Sequence, residues 1–140
     1  MEQLIDLIRL EEFDSAGVLY PTAVIQRAVN EFEKRIALTD GILGECSIPT
    51  GAQFDNSPDT RYLSVDMGRV SHIVRHVWIE HKQLKCKIKL LGQYAQMCEL
   101  MPIAFDGIAR ASGIVEGSPG ELVCTDYSLI TVDLSMNELK

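Results

Sequence analysis

Between positions 84 and 91 the chain alternates without a break: Leu84, Cys86, Ile88 and Leu90 are apolar, and Lys85, Lys87 and Lys89 stand between them. A period of two puts the apolar set on one face of an extended strand and the lysines on the other. A helix, with its period of 3.6, would mix the two sets around its circumference. The chain must therefore contain a half-buried sheet and a core to receive its apolar face. Just upstream, residues 70–79 are rich in valine and isoleucine and include Trp78, and only Glu80, His81, Lys82 and Gln83 separate this run from the next. The two runs predict an antiparallel hairpin, with Trp78 packed at its base or edge.

One helix is equally well marked. Val24, Ile25, Ala28, Val29, Phe32 and Ile36 recur at helical spacing, with polar residues between them. Pro21 suits the first helical position, where a missing N–H costs nothing, and Asp40-Gly41 reads as the end. Residues 4–10 fit a strand or a short helix, and residues 14–17 read as a turn. The proline- and glycine-bearing stretch 44–61 reads as an irregular loop. Residues 93–103 predict a short helix with Met97, Leu100 and Met101 on one side. Residues 105–115 are small and apolar, and 121–124 and 127–134 are strand candidates. The order predicts a single α+β domain over 1–140: a small, mostly antiparallel sheet or closed β-barrel flanked by two or three helices.

Composition excludes several classes. Apolar residues at 46% can fill a core without metal or disulfide staples. A net charge of -7 argues against general binding to nucleic acid, whose phosphates demand a basic surface, and against a membrane-surface role. No apolar run reaches the ~20 residues of a membrane span, and the first residues lack the pattern of a signal peptide. The four cysteines, at 46, 86, 98 and 124, match no zinc spacing and are expected as free thiols in a reducing cytoplasm. The Gly107–Gly113 stretch lacks the Lys-Ser/Thr ending of a phosphate loop, and no cofactor is expected.

His72 and His76, four apart on a strand, are expected on one face about 13 Å apart, too far for joint metal ligation. Structural, hydrogen-bonded histidines are the expectation. Lys85, Lys87 and Lys89 are either a solvated strand face or a docking face for an acidic surface.

Several segments, in order, resemble the prohead proteases of tailed bacteriophages, which share the fold of herpesvirus assemblins. Ser15-Ala16-Gly17-Val18-Leu19-Tyr20-Pro21 is similar to that family's N-R-N-G-R-I-Y-P segment before its amphipathic helix. Gly44-Glu45-Cys46-Ser47-Ile48-Pro49 resembles its G-E-L-x-H-P motif, and Val70-Ser71-His72-Ile73-Val74 with Trp78 its V-S-H-I-V strand. Cys86 to Leu91 is similar to the following G-K-x-K-I-L strand. Gly107-Ile108-Ala109-Arg110-Ala111-Ser112-Gly113 resembles the nucleophile motif G-V-S-S-R-G. The resemblance spans roughly 14–135 and implies a small barrel with flanking helices.

Two departures bear on activity. Ile48 stands where the resemblance implies histidine, and Ala109 where it implies serine. A serine protease needs a hydroxyl nucleophile and a base to take its proton, and neither side chain supplies one. The expectation is a catalytically inactive relative acting as a capsid decoration or minor head protein. It would reside in the virion, bound to the major capsid protein or other virion proteins, with homo-oligomers allowed. The alternatives are a protease with a rebuilt site, using Ser112 with His72 or His76, and an internal head-core or neck adaptor.

Overall fold

The structure is a computed structural model that describes residues 2–46, 69–100 and 103–138. Along the chain these form β1 (Glu2–Arg9), β2 (Val18–Leu19), α1 (Thr22–Thr39), β3 (Ile42–Glu45), β4 (Val70–Glu80), β5 (Gln83–Leu90), α2 (Gly92–Leu100), β6 (Ile103–Ser118) and β7 (Glu121–Glu138). The alternating run is β5, in the middle of an antiparallel sheet of order β1-β5-β4-β3. Its Leu84, Cys86, Ile88 and Leu90 are all buried. The second sheet has the order β2-β7-β6, with β2 parallel to β7 and β6 antiparallel to it. The arrangement is mixed α+β with mostly antiparallel pairing and two helices. The sheets meet along a seam and are not closed into a barrel, which corrects the barrel alternative.

Helix α1 sits where its spacing predicts and buries Ile25, Ala28, Val29, Phe32 and Ile36 against both sheets. Burying a side chain such as Phe32 or Ile25 contributes about 1.5–3 kcal/mol. Pro21 lies one residue earlier than expected: with φ -65 and ψ 140 it is the N-cap and not the first helical residue. Asp40 ends the helix in the left-handed region, at φ 60. Residues 4–10, open between strand and helix, are mostly strand β1, whose partner β5 settles the choice.

A bulge in each sheet is held by the same helix. In β4 the register against β5 skips Arg75, between Val74 and His76. Glu33 of α1 accepts the Val77 N–H at 2.9 Å beside this bulge, and Arg75 donates to the Asp40 carbonyl at 2.9 Å. In β7 the register against β6 skips Ile130, between Leu129 and Thr131. Arg35 donates to the carbonyls of Leu129 and Ile130 at 2.8 and 3.1 Å, and its guanidinium lies over the Phe32 ring. Bulges leave main-chain groups unpaired, and α1 satisfies several of them from its polar flank.

The bulge at Arg75 overturns the expected placement of the histidines. An extra residue inverts the alternation beyond it. His72 is fully buried, whereas the His76 side chain is 62% exposed on the opposite face, beside Glu33.

Other expectations change in detail. Residues 105–115, small and apolar and assigned to no element from the sequence, are part of the sixteen-residue strand β6, and 121–124 and 127–134 merge into β7. Helix α2 begins at Gly92 and ends at Leu100, and Ile103 already belongs to β6. It rests on the core through Tyr94, Ala95 and Cys98, while Leu100 is 83% exposed and Met101 lies outside the described residues. Trp78 lies across from Lys85 on the outer face of its sheet, its Nε1 donating to Glu80 at 3.2 Å. The four cysteines are unpaired thiols, and burial pushes Cys86 up to about 12. No described helix is long and apolar enough to cross a membrane.

Candidate functional site

The seam between the sheets gathers most of the buried polar side chains. It is built where the end of β3 runs beside β7: Cys46 bridges to Leu134, and the Thr131 hydroxyl donates to the Leu43 carbonyl at 2.7 Å. From β4, His72 reaches the same strand, with Nε2 2.6 Å from the Val132 carbonyl. A carbonyl only accepts, so Nε2 carries the proton. Nδ1 then accepts from the Ser71 hydroxyl at 2.6 Å. Burial lowers the His72 pKa, against the opposing pull of Val132 and Asp133, so the imidazole is neutral near pH 7. Its one acceptor nitrogen is taken by the Ser71 hydroxyl, and both side chains are fully buried.

Beside it, Arg110 of β6 links two carboxylates. Its Nε and Nη2 donate to Asp133 of β7, both at 2.9 Å, and Nη2 also donates to Glu45 of β3 at 2.6 Å. The three side chains are only 10%, 8% and 3% exposed. The Glu45 N–H donates to Asp133 at 3.2 Å, which ties the carboxylate pair together. Burial would pull the guanidinium pKa down, but its bonds to Asp133 and Glu45 outweigh this and raise it. Buried ions held this way must be paired, and losing one partner strands the other charges.

The positions implied by the resemblance fall differently. Ile48 and Ser47 lie outside the described residues. Ala109 stands opposite Val132 in the β6–β7 ladder and packs, half-buried, against the core. Its methyl group is thus on the core face of the sheet, while Arg110 points to the other face. Ser112 is exposed and opposite Ser128, two residues along the strand from Arg110, roughly 7 Å. The structure does not bring Ser112 to a histidine: both His72 ring nitrogens are engaged elsewhere, and His76 is on the outer face of the other sheet.

Two of the three stripe lysines have acidic neighbours on β1. Lys85 stands 3.5 Å from Asp6, and Lys87 stands 3.6 Å from Glu2. Lys89 is exposed and opposite Glu2 in register. Among the described residues no group of histidine, cysteine, aspartate and glutamate could hold a metal ion.

The network Ser71, Glu45, Asp133 and Arg110 was not singled out from the sequence. Its only signal was charge inside otherwise strand-like runs: Arg110 among alanines and Asp133 between Val132 and Leu134. A charge at such a position needs a partner if it turns inward, but the partner's identity is a three-dimensional fact.

The fold is that of a capsid-assembly-protease-like α+β domain. The solved structure of the bacteriophage T4 capsid assembly protease, gp21, superposes with a TM-score of 0.71 over 96% of this chain and 80% of that one, at 16% identity. At this identity the likeness is one of fold. No family model matches the chain, and no curated protein matches its sequence.

Proposed function

We propose that this chain is a non-enzymatic phage virion protein, a capsid decoration or minor head protein built on a protease-like fold. The observation that carries the reading is the side chain at position 109, where the nucleophile motif it resembles has serine. Here it is a methyl group turned to the core, and the neighbouring arginine is bound to two buried carboxylates. His72 supports the same reading, because its acceptor nitrogen is taken by Ser71 and both side chains are fully buried, away from any substrate. Ile48, in the place of the implied histidine, adds that the base would be missing as well. A domain so arranged keeps the shape of an assembly protease while lacking the pair that would cut. Its remaining role is binding to the shell or to other head proteins.

Two measurements test it. Quantitative mass spectrometry of purified mature particles should give a copy number close to that of the major capsid protein. Absence from mature particles but presence in precursors would move the protein to the assembly core. The purified chain should also resist labelling by a serine-reactive fluorophosphonate, and stoichiometric labelling would overturn the non-enzymatic reading.

A further inference from the structure

Among the described residues, the distal half of the β6–β7 ribbon leaves a sheet edge open. Among the described residues β6 has a strand partner on one side only, β7. Near its start one face of β6 is covered by β1, where a Cβ on Gly107 would run into Ile5 and Leu7. Further along, over residues 112–118, no described strand flanks it. A sheet edge presents a row of unpaired N–H and C=O groups, and proteins usually blunt it with lysine, proline or an inward charge. Residues 112–118 carry no lysine, arginine or proline.

Two side chains there are apolar and exposed. Ile114 is 54% exposed and Val115 46% exposed, on opposite faces of the ribbon. Ile114 shares its face with Val123, which stands opposite Glu116, and that row continues through Leu19 of β2 to the exposed Phe13. The apolar row is rimmed by carboxylates. Glu116, Glu121 and Asp126 lie on the ribbon, and Glu12 and Asp14 flank Phe13. Residues 112–127 contain no basic residue at all.

From this we propose that the edge of β6 over residues 112–118, open among the described residues, is a strand-addition site for an extended partner segment that carries apolar residues and lysine or arginine in turn at every second position, on one face. Main-chain pairing to the edge supplies affinity, and alternate side chains select the partner. On the face that carries Ile114, an apolar residue of the segment lies against Ile114, and the basic residue two positions along meets Glu116, with Asp126 and Glu121 on the same face of the neighbouring strand. A second copy of this chain fits poorly, since it would bring the same carboxylates to the contact and carries a net charge of -7 itself. The surface does not depend on whether the protein cuts peptides.

The test uses the full chain and a fluorescein-labelled peptide with valine and lysine in turn at every second position and serine between them. Anisotropy should show saturable binding that weakens with added salt, and hydrogen exchange should slow at the amides of 112–118. Ile114→Lys and Glu116→Lys, both at exposed positions, should each weaken binding by about tenfold or more with an unchanged melting temperature. Four outcomes would each overturn the proposal. These are no binding, binding without added protection at 112–118, equal binding by the peptide with alternate amides N-methylated, and a homodimer in sedimentation that Ile114→Lys dissolves.

Discussion

The Nε2 of His72 donates to the Val132 carbonyl at 2.6 Å, so a strand of one sheet is tied to a strand of the other through a single imidazole. Gly44 makes that possible. A Cβ at position 44 would collide with both His72 Nε2 and the Val132 carbonyl oxygen. Gly44→Ala should therefore push β3 from the seam and lower stability by about 2 kcal/mol or more, in the range of overpacked cores. Urea unfolding followed by circular dichroism checks it, and an unchanged midpoint would contradict this account of the seam.

The same histidine sets an acid dependence. Its pKa is lowered in the folded chain, chiefly by burial. The unfolded chain then binds the proton more readily, so the contribution to stability is complete above the ordinary pKa of 6.5 and is lost as pH falls below it toward the folded value. Unfolding free energy should decline between pH 7 and 5 by no more than about 1.4 kcal/mol per pH unit from this group. His72→Gln, which retains a donor toward Val132, should flatten that part of the profile. An identical slope in the variant would remove His72 as its cause.

Arg110 neutralises one of the two carboxylates it holds, and the bonds it makes to both are charge-assisted. Replacing it with Met should cost about 3–5 kcal/mol, because Glu45 and Asp133 are left buried without their cation. Adding Asp133→Asn and Glu45→Gln should recover a large part of the loss. Thermal melts of the single and triple variants decide the matter. A triple variant no more stable than Arg110→Met would place the cost in packing and not in charge.

Ala109→Ser alone should not create a nucleophile. The hydroxyl would lie on the core face opposite Val132, and His72 has no free nitrogen to accept its proton. Mass spectrometry after fluorophosphonate treatment should find no adduct at position 109. Appearance of an adduct would mean that the seam can rearrange to support catalysis.

Much of this fold was legible in local pattern. The alternation at 84–90, the helical spacing at 24–36 and the short turn at 81–82 depend on contacts between near neighbours, and each element formed where its period placed it. Other features were not local. Residues 4–10 were ambiguous until β5 supplied a partner, and the small residues of 105–115 marked no element because glycine and alanine lack strand propensity. Pairing with β7 over sixteen residues outweighed that preference.

The sequence by itself determined the half-buried hairpin, the amphipathic helix, the α+β class and the absence of serine at 109 and histidine at 48. Only the tertiary structure decided that His72 and His76 face opposite ways, that Arg110 joins Glu45 to Asp133, and that the sheets stay open. The reason is physical. A one-residue bulge inverts every side chain beyond it, and Glu33 and Arg35, which hold the two bulges, are separated from them by 44 and 94 positions in the chain. No periodicity encodes a contact of that span.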